Sequence, residues 1–220
     1  MIVVHHLNNS RSQRVLWLLE ELGEPYEIVK YQRDAQTMLA PPELKKVHPL
    51  GKSPVVVDGD AVLAESGAIL EYFAEKHGRF LPMQATPDWR RYRYWMHYAE
   101  GSAMPPMLLK LVFDRLERAR APFFVKPIVR QISSKAKDGF IGAQIKLHLD
   151  FMEGELAKSA WFAGSDFTVA DIQMSFPLEA ATARAGLDES RPRLMDFLAR
   201  IHARPAYKRA LERGGPFRLS

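Results

Sequence analysis

Cysteine is absent from this sequence of 220 residues. Its absence excludes disulfide frameworks, zinc sites with thiolate ligands, iron–sulfur clusters and every mechanism that uses a thiol of the protein itself. The sequence also lacks any apolar run approaching the ~18 residues of a membrane-spanning helix. No basic segment followed by an apolar stretch opens the chain, so we predict no secretory signal peptide. We therefore expect a cytoplasmic protein with no membrane partner.

A large excess of either charge is also missing. Lys and Arg total 31 and Asp and Glu 26, which gives a net charge of +5. So small an excess, spread over the chain, predicts no nucleic-acid partner. The locally basic residues 115–130 are interrupted by proline and phenylalanine, and we interpret them as a solvated face. An apolar fraction of 47% excludes global disorder, and the length predicts one large domain or two small ones.

The first 78 residues alternate between strand and helix signals. Strand signals occupy residues 2–7, 26–30, 54–57 and 61–63, and helix signals occupy residues 15–22, 43–47 and 66–77. Asp58-Gly59-Asp60 is a turn signal that joins the last two strands into a hairpin. Ser66 is placed to be the N-cap of the last helix, and Gly78 to end it.

Strand signals vanish from residue 88 onward. Helical patterns cover residues 89–116, 138–157, 168–182, 191–202 and 205–213. Pro105-Pro106 predicts an interruption of the first, and Pro122 and Pro127 mark a second irregular stretch. We therefore predict an α/β domain over residues 1–78, a linker over 79–88 and an all-α domain over 89–220.

Three segments of the first domain carry polar groups that suit a ligand. Ser10 lies on the turn into the first helix, where its hydroxyl either bonds a ligand over the helix N-terminus or simply caps the helix. Pro54 leaves a backbone edge unpaired, and such an edge can bind an extended peptide. Glu65 and Ser66 at a helix start suit an amino-acid head group, and a plain N-cap is the alternative.

A fourth motif, in the helical half, is structural. Thr168 and Asp171 are spaced so that each satisfies a backbone donor of the other, as in a capping box. Phe167 and Ile172 flank them as a hydrophobic staple. The motif predicts where a core helix begins.

Together, these segments resemble the cytosolic glutathione transferases over nearly the whole chain. Residues 48–54 (HPLGKSP) resemble the family's Asn-Pro-x-Gly-x-x-Pro segment, residues 64–69 (AESGAI) its glutamate–serine motif and residues 167–171 (FTVAD) the capping motif of its helical domain. The turn at 9–12 (NSRS) resembles the serine-type members, and the whole first domain is similar to a group found in bacteria and fungi. The resemblance implies an N-terminal thioredoxin-like domain that binds glutathione, followed by an all-helical domain that supplies the second-substrate pocket. It also implies a homodimer, for which we expect the aromatic helix beginning near Trp89 to supply the interface.

The resemblance assigns the catalytic role to Ser10. Its hydroxyl would donate a hydrogen bond to the glutathione sulfur, with Arg11 as a second contributor and Asn9 as a rival donor. An unperturbed thiol has a pKa near 8.5. A hydrogen bond to a charged group contributes about 1.5–3 kcal/mol, which lowers that pKa by about 1–2 units. The thiolate would then attack a small hydrophobic electrophile.

The resemblance also implies binding roles. Pro54 would be cis, and the backbone of Ser53 would pair with the cysteinyl part of glutathione. Lys52 would reach a carboxylate or carbonyl, and Glu65 and Ser66 would hold the γ-glutamyl end. No metal is implied. For the second substrate we expect an apolar lining that includes Met104, Met107, Leu108 and Phe113.

Conjugation is therefore the expected reaction. Two alternatives share the same glutathione contacts, namely a glutathione-dependent peroxidase or isomerase and a non-catalytic glutathione-binding protein. The absence of cysteine near the first turn excludes a mixed disulfide between the protein and glutathione.

Overall fold

A four-stranded mixed sheet organises the first part of the chain in this computed structural model, which describes residues 1–219. The strands are β1 (Ile2–Leu7), β2 (Tyr26–Tyr31), β3 (Val55–Asp58) and β4 (Ala61–Ala64), in the order β2-β1-β3-β4. β1 pairs parallel with β2 and antiparallel with β3, and β3 pairs antiparallel with β4. Helices α1 (Ser12–Leu22) and α2 (Ser66–His77) and a short 3₁₀ helix (Pro42–Lys46) complete this part. The predicted thioredoxin-like arrangement is confirmed.

The rest of the described chain is helical, as predicted. Its helices are α3 (Pro87–Tyr98), α4 (Met104–Arg118), α5 (Lys126–Ala136), α6 (Gly142–Leu156), α7 (Val169–Arg184), α8 (Pro192–Ala203) and α9 (Pro205–Gly214). Wide π-helical turns at residues 99–103 and 137–141 join α3 to α4 and α5 to α6. The division at residues 78–89 stays a prediction, and Ser220 lies outside the described residues.

Of two predictions based on proline, one is wrong and the other is partly confirmed. The helical path continues through Pro105-Pro106, because both residues lie in the first turn of α4, where a missing N–H is tolerated. The predicted second irregular stretch exists at residues 119–125, which include Pro122, but α5 begins at Lys126 and Pro127 is its second residue. Pro105, Pro106 and Pro127 each lie in the first turn of a helix and do not interrupt one, since their fixed φ suits a first turn.

Helix α9 covers α1, although the two lie near opposite ends of the sequence. Trp17 of α1 is fully buried, with its ring centroid 5.1 Å from that of Tyr207 of α9. A Cβ atom at Gly214 would lie 2.6 Å from Leu16 Cδ1, so any larger residue there would force the buried Leu16 side chain to shift. Ion pairs join Glu20 to Arg209 and Arg213, and Glu21 to Arg204. The first and last helices therefore form one packed unit.

The predicted capping box at the start of α7 is confirmed. Thr168 Oγ1 accepts a hydrogen bond from the Ala170 N–H at 3.2 Å, and Asp171 Oδ2 accepts one from the Thr168 N–H at 2.8 Å. Asp171 is completely buried, and its other oxygen accepts from the Phe162 N–H at 2.9 Å. The sequence did not predict this third bond, which ties the preceding loop to α7.

No helix within residues 1–219 is both long and apolar enough to cross a membrane.

Candidate functional site

Two adjoining cavities open between the β1–α1 corner and the helical part. The cis-proline cavity has a volume of about 280 Å³ and is lined by Arg11, His48, Leu50, Lys52, Ser53, Pro54, Ala64, Glu65, Ser66 and Glu100. The arginine cavity has a volume of about 550 Å³, and its lining includes Asn9, Arg11, Arg33, Leu39, Lys52, Ser53, Glu100, Met104, Leu108, Arg115, Phe176, Arg184 and Arg218. The two share a wall. The structure thus brings together every predicted site residue except Ser10.

The loop before β3 is anchored to β1 by Ser53. Its hydroxyl donates to the carbonyl oxygen of His5 at 2.9 Å and accepts from the Leu7 N–H at 3.2 Å. The Ser53–Pro54 peptide bond is cis, as the resemblance implies. Because the Ser53 hydroxyl is bonded to the backbone of β1, the backbone groups of Ser53 are the ones left to form hydrogen bonds with a ligand.

Glu65 has a strained backbone beside the same cavity. The predicted N-cap at Ser66 is wrong, because Glu65 occupies the cap position and Ser66 is the first residue of α2. Glu65 has φ 68° and ψ 119°, a conformation that costs a residue other than glycine about 1–3 kcal/mol. Such residues cluster at functional sites, where the surrounding structure holds them in the strained conformation. The Glu65 side chain is exposed, so its carboxylate is available to a ligand cation.

Ser10 does not line either cavity. It is 3% exposed, and its Oγ lies 2.7 Å from Ser12 Oγ and accepts from the Ser12 N–H. Ser12 Oγ also contacts His6 Nδ1 at 2.8 Å. Burial, helped by the charge of Lys30, lowers the pKa of His6 to about 4, so this imidazole is neutral at pH 7. The Ser10 hydroxyl belongs to a buried network that holds the corner, and its catalytic role stays a prediction.

Asn9 occupies the exposed side of the same corner. Its φ is 50°, a left-handed value that asparagine tolerates better than most residues. The side chain lines the arginine cavity, and its Oδ1 accepts from the Arg218 N–H at 2.8 Å. The Nδ2 hydrogens are therefore the part of Asn9 left to donate.

A buried arginine, Arg14, joins α1 to the helical part. Arg14 is 1% exposed, and its Nη1 donates to Glu100 Oε1 at 2.7 Å, Gln173 Oε1 at 3.1 Å and Ser66 Oγ at 3.2 Å. Arg11 donates to both oxygens of Glu100 at 2.8 Å. Burial lowers the pKa of Arg14 to about 10, so it stays charged at neutral pH. Burial alone would raise the pKa of Glu100, but the charges and hydrogen bonds of Arg14 and Arg11 lower it to about 2.

Sequence reasoning missed Arg14 and Glu100. The only available signal was the spacing of Arg11 and Arg14, which places both on one side of α1. Glu100 carries no motif. It belongs to the site because the π-helical turn after α3 faces the β1–α1 corner.

The predicted apolar lining of the second pocket is partly wrong. Met104 and Leu108 do line the arginine cavity, but Met107 lies in the hydrophobic core and Phe113 packs against that core. Cationic side chains take their place on the wall. Within residues 1–219, no cluster of three or more His, Asp or Glu side chains is suitable for a metal ion.

Comparison with known proteins agrees with this arrangement. Family models described as "Glutathione S-transferase, N-terminal domain" and "Glutathione S-transferase, C-terminal domain" match residues 1–75 and 119–205. The chain is 40% identical to Glutathione S-transferase 3 of Schizosaccharomyces pombe, over 97% of this chain and 88% of that protein. It is 34% identical to Glutathione S-transferase 1 of Saccharomyces cerevisiae, over 97% and 95%.

Solved structures of glutathione S-transferases are also similar to this chain in their fold. A glutathione S-transferase from Actinobacillus pleuropneumoniae superposes with a TM-score of 0.79 at 32% identity, over 99% of this chain and 94% of that one. A sphingomonad glutathione S-transferase complexed with glutathione has the same fold, with a TM-score of 0.74 at 23% identity over 97% and 98% of the two chains. Sequence, fold and the order of the motifs agree, and the chain belongs to the glutathione S-transferase family.

Proposed function

We propose that this protein is a glutathione transferase that binds glutathione in the cis-proline cavity and conjugates its sulfur to a small electrophile in the arginine cavity. The observation that carries the proposal is the shared wall of Arg11, Lys52, Ser53 and Glu100, because it brings the two substrates into contact. Membership of the family supports it. So does the sphingomonad relative of the same fold, which was solved with glutathione bound.

The cis-proline cavity offers a partner for each end of a tripeptide. The exposed Glu65 carboxylate suits an ammonium group, and the first N–H groups of α2 beside Ser66 suit a carboxylate. The backbone of Ser53 would pair with the cysteinyl part in an extended conformation. Lys52 would meet the remaining carboxylate.

We propose that Asn9, the rival to Ser10 in the sequence analysis, donates the hydrogen bond to the sulfur. Its side chain lines the arginine cavity beside Lys52 and Ser53, while the Ser10 hydroxyl is bonded inside the protein. A hydrogen bond to the charged sulfur contributes about 1.5–3 kcal/mol, which lowers a thiol pKa from about 8.5 toward neutrality. The dipole at the start of α1 acts in the same direction.

Asn9→Gly should therefore lower kcat/KM for conjugation of 1-chloro-2,4-dinitrobenzene by about 10- to 100-fold, the loss expected for one such bond. Glycine keeps the positive φ of position 9, so the corner retains its conformation. Ultraviolet titration of bound glutathione should show its thiol pKa rising by about 1–2 units.

Ser10→Ala is the matched variant, and we expect it to stay within about threefold of the wild type, less than the tenfold that corresponds to 1.4 kcal/mol. A larger loss in Ser10→Ala than in Asn9→Gly would reverse the assignment and restore Ser10 as the donor.

We also propose a homodimer, as the family resemblance implies. The aromatic helix α3 contributes less to an interface than its composition predicts, because Tyr92, Trp95 and Tyr98 are buried in the chain's own core. Tyr94 remains 48% exposed. Sedimentation at micromolar concentration should give twice the 25.1 kDa of one chain, and a stable monomer would overturn the proposal. The cytoplasmic location stays a prediction.

A further inference from the structure

We propose that the electrophile accepted by this site carries a negative charge, so that the arginine cavity selects organic anions such as carboxylates over neutral compounds. The inference rests on the proposed function, since it concerns the partner of glutathione in the same reaction. It differs from the small hydrophobic electrophile that the sequence predicts. Its basis is the lining of the cavity, which contains Lys52 and five arginines but, among the described residues, only one carboxylate, that of Glu100. The arginines are Arg11, Arg33, Arg115, Arg184 and Arg218.

The negative charge of Glu100 is already neutralised by ion pairs within the protein. Arg11 and Arg14 both form ion pairs with it, so two positive charges share one negative charge before any other arginine is considered. In residues 1–219, Arg33, Arg115 and Arg184 make no ion pair with an acidic side chain within 4.0 Å. The cavity therefore carries a large excess of positive charge.

Arg33 is held in place without being neutralised. Its guanidinium donates to the carbonyl oxygens of Asn8, Met38 and Asn9 at 3.2, 3.1 and 3.4 Å. Carbonyl groups fix its position but leave its charge. Burial lowers the pKa of Arg33, and the neighbouring charges of Arg11 and Arg115 lower it further.

Arg184, at the end of α7, lines the cavity and has a hydrogen-bond donor without an acceptor. Its Nε is buried and has no hydrogen-bond partner among residues 1–219. Burial lowers its pKa, and so do the charges of Arg115, Arg11 and Arg33. A buried donor without an acceptor and a group of mutually repelling cations both cost free energy. A bound anion removes both costs, which is the physical reason to assign one to this cavity.

The position of these arginines assigns the anion to the electrophile. Arg115 and Arg184 line the arginine cavity but not the cis-proline cavity, where the carboxylates of glutathione have Lys52 and the start of α2. Met104 and Leu108 line the same cavity as Arg115 and Arg184. A ligand that satisfies this lining has an apolar body and an acidic group, which is the chemistry of an aromatic or unsaturated carboxylic acid.

The test compares 4-chloro-3,5-dinitrobenzoate with its methyl ester. In both, the glutathione sulfur forms a C–S bond, chloride leaves with the electrons of the broken C–Cl bond, and the thiol proton goes to solvent. Only the acid carries a charge remote from the reacting carbon. After each kcat/KM is divided by the uncatalysed rate constant, the acid should exceed the ester by about tenfold or more, which corresponds to about 1.4 kcal/mol.

Variants then locate the preference. The double variant Arg115→Gln/Arg184→Gln should reduce the acid-to-ester ratio to near one. Arg118→Gln is the matched control, because Arg118 belongs to the same helix as Arg115 but does not line the cavity, and it should keep the wild-type ratio. A wild-type ratio near one, or a ratio that survives in the double variant, would refute the proposal.

Calorimetry with the two finished conjugates separates this inference from the proposed function. The conjugates share the glutathione part, so a difference in Kd isolates the carboxylate. If neither chlorobenzoate nor 1-chloro-2,4-dinitrobenzene is turned over, conjugation is refuted, yet tenfold tighter binding of the acidic conjugate would still support an anion site. Equal binding of the two conjugates would refute the anion site even in an active enzyme.

Discussion

Glu100→Gln should lower the free energy of unfolding by about 3–5 kcal/mol, the cost of leaving a buried charge without its partner. The charge left behind is that of Arg14, which is 1% exposed and forms its only ion pair within 4.0 Å in the described chain with Glu100. Its remaining acceptors, Gln173 and Ser66, are neutral. Urea denaturation followed by circular dichroism measures the change.

Glu117→Gln provides the control for this variant. Glu117 pairs with Lys137 at 2.8 Å on the surface, where such a pair contributes less than about 1 kcal/mol. A loss in Glu100→Gln no larger than that in Glu117→Gln would show that Arg14 has found water or another acceptor.

The pH dependence of this pair follows from the lowered pKa of Glu100. The pKa is about 2 in the folded protein against 4.5 in the ordinary group, so the unfolded chain takes up protons first as the solution is acidified. The ionised carboxylate therefore stabilises the fold fully above pH 4.5, and this stabilisation is lost as the pH falls toward 2. The difference between wild type and Glu100→Gln should shrink across the same range. A difference that stays constant would contradict the assignment.

Asp171→Ala should lower the free energy of unfolding by about 3–4 kcal/mol. The carboxylate is completely buried and accepts from the N–H groups of Phe162 and Thr168. Each buried donor that loses its acceptor costs about 1–3 kcal/mol. Since a domain is stable by only about 5–15 kcal/mol, this one substitution removes a large fraction of the total. Thermal and urea unfolding both measure it.

Asp188→Ala is the comparison for Asp171→Ala. Asp188 also accepts from a backbone N–H, that of Ser190 at 3.0 Å, but it is exposed and water replaces it. We expect a change within about 0.5 kcal/mol, as is usual for surface positions. If Asp171→Ala lowered the free energy of unfolding no more than Asp188→Ala, water would have to reach the start of α7. The interpretation of the motif as structural would then be wrong.

Periodicity and capping signals predicted most of the fold because they act locally. β1, α1 and α7 each carry their own pattern of burial or caps within a few residues. Pro105, Pro106 and Pro127 were misinterpreted for the same local reason, since a proline at a helix start and one in a helix interior look alike when the ends of the helix are not known. α5, which begins one residue before Pro127, shows this ambiguity.

Residues of the candidate site could be predicted where a single segment supplies them. They were missed where several separate segments come together in the fold. Lys52, Pro54 and Glu65, which line the cis-proline cavity, could be selected from the sequence because each belongs to a short motif. The arginine cavity was not found, since Arg33, Arg115 and Arg184 come from separate segments, and each alone resembles a solvated charge. The orientation of Ser10 was equally hidden, because rotation of one residue at the corner decides whether Asn9 or Ser10 faces the cavity.

The packing of α9 onto α1 has a consequence for how the protein is made. A ribosome produces Glu21 183 residues before its partner Arg204, which at about 5–20 residues per second is roughly 10–40 s. Throughout that time Trp17 of the nascent chain is not covered by the aromatic ring of Tyr207, which packs against it in the folded protein. The amino-terminal sheet and helices therefore emerge with an unfinished apolar face, and chaperones that shield such faces have their longest opportunity before the final helix is translated.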